Sequence, residues 1–151
     1  MNEKKRVLNE QTVEISLPNR LGYERVVMGS VAAFARSVGF VPSRIEDLKT
    51  AVAEACINAV QHGNKGRSDA RVIVTMQFKE DVFHVSVFDE GEGAKKILKD
   101  PDIVRIMDNL DPPTGFGTFL MRQLMDEVEF VKTANHGHEV RMAIKLGGQS
   151  S

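Results

Sequence analysis

Residues 45–62 read IEDLKTAVAEACINAVQH, a run that combines one polar helix face with otherwise apolar or small positions. Glu54, Asn58 and His62 are four residues apart, so an α-helix places them on one face, one turn from each other. An unsatisfied buried amide or carboxylate costs about 1–3 kcal/mol, so such groups need partners. A carboxylate and an amide oxygen one turn apart suit a base and a hard cation such as Mg²⁺. The alternative is that these three side chains form the solvent-exposed border of an amphipathic helix and bind no ligand.

The flanking sequence predicts where this helix and its neighbours begin and end. Ser43 and Glu46 form the pattern of a capping box, which predicts the start of the helix, and Gly63 predicts its end. Its inward positions are predicted to be Ile45, Leu48, Val52, Ala55 and Ala59. An earlier helix is predicted from Leu21 to Val38, closed by Gly39, after a strand at Thr12–Leu17.

Beyond residue 70 the apolar period changes from helical to alternating. Strands are predicted at 72–78 and 82–88 as a hairpin, and at 128–134 and 139–146 after a helix over 117–125. This order lacks the regular alternation of a doubly wound sheet. It predicts an α+β fold: a two-layer sandwich of a mixed, mainly antiparallel sheet with the helices on one face.

A second polar cluster follows the strand that ends at Phe88. Residues 89–93 read DEGEG, and Asp89 can accept a hydrogen bond from an exocyclic amine of a purine. Gly91 and Gly93 allow a sharp turn or a close approach of the backbone to a flat ring. By itself the pattern is also that of a surface turn.

A third cluster, Gly115-Phe116-Gly117-Thr118, is predicted to be a glycine-rich turn that opens a helix. Backbone N–H groups at a helix N-terminus bind anions, which suits a phosphate. The run is neither a Walker loop nor a dinucleotide-binding fingerprint, because the required lysine and third glycine are missing. Taken together, the three clusters supply cation, adenine and phosphate binding in one short chain.

Size and composition limit the classes of function. With 151 residues, 42% of them apolar, the chain is expected to form one domain over 11–146, with flexible ends at 1–10 and 147–151. A net charge of −1 does not favour direct binding to nucleic acid, and no apolar run is long enough for a membrane span. Cys56 is the only cysteine, which indicates a reducing cytoplasm, and we expect it to be a buried small hydrophobe.

On these motifs the sequence resembles the Bergerat-fold ATPases, the superfamily that includes gyrase B, histidine kinases and MutL. Residues 45–62, together with the run LMDEV at 124–128, are most similar to the bacterial anti-sigma-factor serine kinases. The resemblance covers about residues 11–146 and implies the Bergerat ATP-binding fold, with ATP and Mg²⁺ as cofactors.

The resemblance also implies roles for individual residues. Glu54 would be the general base, Asn58 a Mg²⁺ ligand and Asp89 the carboxylate that reads adenine. The remaining nucleotide-binding residues would be His62, Gly91, Gly93, Gly115, Phe116, Gly117 and Thr118. A lid is expected at about 94–114, with one helical piece around 103–110.

Two departures from the family pattern concern the edges of this pocket. The last hairpin reads Asn135-His136-Gly137-His138-Glu139-Val140 where the family commonly has Gly-Thr before the final strand, and that threonine usually supports adenine binding. We expect His136 and His138 to be turn residues. The lid lacks an arginine just before Gly115, so a cation contacting the γ-phosphate would come from Arg105, Lys95 or Lys96, which are otherwise solvated charges.

By the same resemblance, the partners would be an anti-anti-sigma protein of the STAS type that carries the acceptor serine, a sigma factor, and a second copy of the chain. The alternative is a non-catalytic, nucleotide-dependent binding or adaptor module of the same fold. A histidine kinase domain would need a linked dimerisation helix pair, and a gyrase-type ATPase a further transducer domain. The chain length favours neither.

Overall fold

The computed structural model of this protein describes residues 11–91, 112–133 and 137–147. These residues form β1 (Val13–Pro18), α1 (Glu24–Val38), α2 (Pro42–Asn58), β2 (Arg71–Lys79), β3 (Val82–Asp89), α3 (Pro112–Leu124), β4 (Glu127–Lys132) and β5 (His138–Lys145). A π-helical turn, Ala59–Gly63, continues α2. The predicted ends at 1–10 and 147–151, apart from Gly147, and nearly all of the predicted lid, with its helical piece, lie outside the described residues.

The five strands of the described chain form one sheet in the order β1-β2-β3-β5-β4. Each described pair is antiparallel, so the prediction of a mixed sheet is wrong in this detail. The reason is that β2–β3 and β4–β5 are hairpins, and β5 then returns beside β3 in the opposite direction. Val74, Val87 and Val140 are register partners across three strands and bury their side chains on the same face. The α+β sandwich is otherwise confirmed.

The helices cover one face of the sheet, with α2 packed between α1 and α3. The predicted apolar stripe of α2 is confirmed, since each of its members is at most 5% exposed: Ile45, Leu48, Val52, Ala55 and Ala59. At one end of the sandwich Phe34 and Phe83 meet edge to face, with ring centroids 5.0 Å apart. No helix in the described ranges has the length and apolarity to cross a membrane.

The helix starts differ from the prediction. The N-cap of α2 is Val41, Pro42 occupies the first turn, and no described side chain caps this end, so the predicted capping box of Ser43 is wrong. Proline suits this position because its φ is preset and its missing N–H would have no intrahelical partner. α1 begins at Glu24, after a turn in which Gly22 has a φ of +110°. Gly39 closes α1 in the left-handed conformation, as predicted.

An ion pair fixes the C-terminal end of α3 against the start of α2. Arg44 Nη1 donates to the carbonyl of Leu124 at 3.4 Å, and Arg44 Nη2 donates to Asp126 Oδ2 at 3.3 Å. The same Asp126 oxygen accepts the backbone N–H of Lys145 at 2.7 Å. These contacts join α2, α3 and β5, and they set the position of α3 over the polar face of α2.

Candidate functional site

The polar face of α2 lies against α3. Glu54 and Asn58 are half-buried, one turn apart, as the sequence predicts. A β-carbon added to Gly117 of α3 would lie 2.9 Å from Glu54 Oε1 and 3.3 Å from Asn58 Nδ2. The polar side chains of α2 therefore lie close to the backbone of α3 at a residue that has no side chain. The carboxylate, the amide and the backbone of α3 form one surface.

The glycine cluster of α3 lies within the helix. Gly115, Phe116, Gly117 and Thr118 all fall in α3, which begins at Pro112, so the prediction that they form a turn opening the helix is wrong. A proline pair is tolerated in the first helical turn, so the helix starts earlier than the glycines suggest. Glycine inside a helix costs about 0.5–1 kcal/mol relative to alanine. The close approach to Glu54 accounts for that cost at Gly117, and Thr118 beside it is half-buried.

The π-helical turn lies between the polar face of α2 and the end of β3, and it contacts both parts of the site. Its extra residue is seen in the bond from the N–H of Asn64 to the carbonyl of Ala59, at 2.7 Å. His62 lies half-buried in this turn. Gly63, predicted only as a helix stop, packs against the carboxyl group of Asp89, and a β-carbon on Gly63 would collide with Asp89 Oδ2. The second glycine thus allows a second close approach.

Asp89 ends β3, and its side chain is 8% exposed. Its Oδ1 accepts the backbone N–H of Gly91 at 2.8 Å and that of His138 at 3.1 Å, and it also lies 3.1 Å from His138 Nδ1. Gly91 is buried with a φ of +66°, which favours glycine. These contacts use Oδ1, and Oδ2 faces Gly63. His138 is therefore not a simple turn residue: it begins β5 and holds the carboxylate of Asp89.

A buried polar network that was not predicted from the sequence also holds this turn. Asn64 is 0% exposed, and its Oδ1 accepts the N–H of Glu90 at 2.7 Å. Arg67 Nη2 donates to the carbonyl of Gly91. Two backbone groups of the Asp89–Gly91 turn are therefore held by the loop that follows the π-helical turn. The only available signal was the position of Asn64 next to Gly63.

The remaining predicted site residues and the metal can be placed only in part. Gly93, His136 and the candidate lid cations lie outside the described residues. Among the described residues, no group of three or more His, Cys, Asp or Glu could hold a metal ion. Mg²⁺ commonly takes only one or two protein oxygens, with phosphate and water completing its shell. The amide oxygen of Asn58, one turn from Glu54 on the same helix face, fits that use.

Cys56 lies on α2 but does not belong to the polar face. It is 2% exposed, and burial, with a smaller contribution from the negative charge of Glu24, raises its pKa to about 12. The thiol is therefore protonated and shielded at neutral pH, which excludes it as a nucleophile. The prediction of a buried small hydrophobe is confirmed.

A two-layer sandwich with this arrangement defines a class. The site combines a carboxylate and an amide one turn apart, a carboxylate at a strand end near glycines, and a helix glycine packed against the first pair. These are the elements of a nucleotide-binding domain of the Bergerat type. The chain belongs to this class by sequence as well: residues 17–144 match the histidine kinase-like ATPase domain family, and the chain is a member of that family.

Within the family, the chain is similar to the serine-protein kinases named RsbW. It is 36% identical to the protein of Bacillus pumilus over 137 residues, 86% of this chain and 83% of that protein. It is 34% identical to the protein of Bacillus subtilis over 147 residues, 93% and 89% of the two chains. The resemblance to the bacterial anti-sigma-factor serine kinases is thereby confirmed, and the protein belongs to a kinase family.

Two solved structures share the fold. The RsbU and RsbW domains of a Mycobacterium tuberculosis protein match with a TM-score of 0.65 at 20% identity, over 89% of this chain and 32% of that longer chain. The SiaB–SiaC complex from Pseudomonas aeruginosa matches with a TM-score of 0.65 at 15% identity, over 89% of this chain and 90% of that one. At these identities the matches establish the fold alone.

Proposed function

We propose that this protein binds Mg-ATP between α2, the Asp89 turn and α3, and transfers the γ-phosphoryl group to a serine of an anti-anti-sigma protein. The names of the relatives support a serine-protein kinase. The SiaB–SiaC structure supports a partner protein, because a chain of the same fold forms a complex there.

The observation that carries the proposal is the pair of close approaches at Gly63 and Gly117. Gly63 brings the π-helical turn against Asp89, and Gly117 brings α3 against Glu54 and Asn58. Three motifs that lie far apart in the sequence are thereby adjacent around one helix. In the proposed complex Asp89 accepts a hydrogen bond from the adenine amine, and the N-terminal half of α3 faces the phosphates.

Phosphoryl transfer depends mainly on positioning and on charge neutralisation. In the proposed reaction Glu54 accepts the proton of the serine hydroxyl while the serine oxygen bonds to the γ-phosphorus and the bond to the β-phosphate oxygen breaks, releasing ADP. Mg²⁺, held in part by Asn58, would neutralise the charge of the phosphates. Because Gly117 has no β-carbon, the Glu54 carboxylate can lie close to the backbone of α3.

The proposed regulatory role is partner switching. In the free state the protein would sequester a sigma factor as a homodimer, and the anti-anti-sigma protein of the STAS type would compete for it until it is phosphorylated. ATP and a sigma factor would both be encountered in the cytoplasm. In this proposal, binding of the sigma factor and of the anti-anti-sigma protein requires no direct contact of this chain with nucleic acid or a membrane.

The test begins with calorimetry of the full chain with ATP and ADP in the presence of Mg²⁺. We expect binding of both nucleotides, and loss of Mg-dependent ATP binding in Asn58→Ala. Incubation with labelled ATP and a purified anti-anti-sigma protein should then yield one phosphoserine on that partner. Absence of nucleotide uptake by folded protein would refute the proposal. Uptake without phosphorylation of a bound partner would support the non-catalytic module.

A further inference from the structure

Asn64 is an uncharged polar side chain buried with all of its hydrogen-bonding groups in use. Its amide is 0% exposed. Nδ2 donates to Asn19 Oδ1 and to the carbonyl of Arg71, both at 3.0 Å, and Oδ1 accepts the N–H of Glu90 at 2.7 Å. One side chain therefore joins the end of β1, the start of β2 and the turn after β3. A buried amide is retained at no net cost only when its partners are complete, as they are here.

The neighbours of Asn64 reinforce the same contact. Asn19, itself 7% exposed, donates from Nδ2 to the carbonyl of Arg67 at 3.0 Å. The guanidinium of Arg67 donates to the carbonyls of Asn64 and Gly91. The turn is thus held at the N–H of Glu90 and at the carbonyl of Gly91. These are the first and second residues after Asp89, so the two contacts hold the backbone next to the residue that carries the carboxylate.

We propose that Asn64, oriented by Asn19, is a positioning residue that sets the direction of the Asp89 carboxylate and thereby the selectivity for an adenine base. The inference rests on the proposed nucleotide site and extends it to a residue that does not touch the nucleotide. Asp89 Oδ1 is occupied by Gly91 and His138. The other oxygen can serve a base amine only while the turn keeps its present orientation, which the bond from Glu90 to Asn64 maintains.

The chemistry of the amide separates two substitutions at this position. Asn64→Leu removes the acceptor for the N–H of Glu90, whereas Asn64→Asp keeps an acceptor oxygen and loses the donors to Asn19 and Arg71. Both variants lose buried hydrogen bonds and are expected to be less stable. Only the leucine variant releases the turn. A merely structural role would affect both variants in proportion to their loss of stability.

The experiment compares ATP with inosine triphosphate, which lacks the exocyclic amine, and follows the exchange of the Glu90 amide by NMR. We expect the wild-type protein to bind ATP more tightly than inosine triphosphate. In Asn64→Leu that preference should fall by roughly tenfold, the equivalent of one lost hydrogen bond, and the Glu90 amide should exchange faster. Asn64→Asp should keep most of the preference and the slow exchange.

Phe78→Leu, at the opposite end of the sheet, is the control for reduced stability and should keep the preference.

Asn19→Ala provides a second, milder variant if Asn64→Leu does not fold. It removes the acceptor that orients Asn64, so we expect a smaller fall in the preference for ATP. An unchanged preference in both Asn64→Leu and Asn19→Ala would overturn the inference, as would equal losses in the leucine and aspartate variants. A wild-type protein that binds neither nucleotide would instead refute the proposed function, so the two failures are distinguishable.

Discussion

Gly117 of α3 lies so close to Glu54 of α2 that a β-carbon on the glycine would stand 2.9 Å from Glu54 Oε1. The far end of α3 is fixed to α2 by the contacts of Arg44 with Leu124 and Asp126. The carboxylate that we propose as the general base is therefore bounded by a helix backbone that is anchored to the same helix. Rigid elements of this kind hold catalytic groups more accurately than loops do.

Substitution of Gly117 tests this relationship. In Gly117→Ala the new methyl group would displace the Glu54 carboxylate, which can move because it ends a flexible side chain. We expect the phosphotransfer rate constant to fall by about 10- to 100-fold, because small displacements of a reacting group have large effects, while the melting temperature changes little. Single-turnover phosphorylation and thermal unfolding measure the two quantities.

Gly29 in α1 provides the matched control, because no described atom lies within 4 Å of the β-carbon it would gain. Gly29→Ala should stabilise the protein by about 0.5–1 kcal/mol, through the better helix propensity of alanine, and leave transfer unchanged. Equal rates in Gly117→Ala and Gly29→Ala would contradict the proposed importance of the approach.

Glu54→Gln tests the proposed base directly. The glutamine keeps the shape of the side chain but cannot accept the serine proton, so we expect normal ATP affinity and a loss of transfer of about 10²- to 10⁴-fold. Glu46→Gln is the control on the same helix, since Glu46 is exposed and pairs with Lys49 at 3.1 Å. Wild-type transfer in Glu54→Gln would show that the base is another group.

His138 begins β5, and its ring contacts Asp89 at 3.1 Å. His138→Ala keeps the backbone N–H bond to Asp89 and loses the ring contact, so we expect ATP affinity to fall by only about 2- to 10-fold. His138→Thr should recover part of this loss, because its hydroxyl can donate to the same oxygen. Calorimetric titration with ATP at one pH measures both effects, and a threonine variant weaker than the alanine variant would contradict this role.

Cys56 predicts a change of stability at alkaline pH. Its pKa rises from the ordinary value of 9.0 to about 12 in the folded protein. Below pH 9 the thiol is protonated in both states and adds no pH dependence. Between pH 9 and 12 the unfolded thiol ionises while the folded one keeps its proton, so the free energy of unfolding should fall by up to about 1.4 kcal/mol per pH unit.

Denaturant titrations at pH 8 and pH 10.5 measure this effect as the difference between the wild-type protein and Cys56→Ala. The alanine variant loses a constant amount of stability from its smaller side chain but lacks the thiol contribution to the slope. The same thiol should react slowly with an aromatic disulfide reagent at pH 8 while the protein is folded. Rapid reaction of the native protein would contradict the burial of Cys56.

The features that depend on local periodicity could be predicted from the sequence. The alternating residues of β2 and β3 and the stripe from Ile45 to Ala59 follow directly from period-two and helical spacing, so the layers and the core could be predicted. The placement of Glu54 and Asn58 on one helix face depends on the same spacing. The roles proposed for these residues come from the resemblance to the family, because spacing alone does not provide them.

The details that could not be predicted depend on contacts between distant segments. From the sequence, Gly63 is predicted only to end a helix, because the sequence does not reveal that Asp89 packs against it. Gly117 reads as a turn residue because helix propensity ignores the nearby carboxylate. Asn64 gave no signal beyond its position next to Gly63, since its partners lie at the end of β1, at the start of β2 and in the turn after β3. Each error has the same physical origin: tertiary contact overrides the local preference.

The π-helical turn Ala59–Gly63 makes the number of residues between α2 and β2 a determinant of the pocket. Deletion of one residue there would restore an α-helical pitch, and each residue of such a helix rotates the chain by about 100°. Gly63 and Asn64 would then point away from Asp89 and Glu90 even though every side chain discussed above remained in the protein. Insertions and deletions in this segment are therefore expected to abolish nucleotide binding more readily than substitutions do.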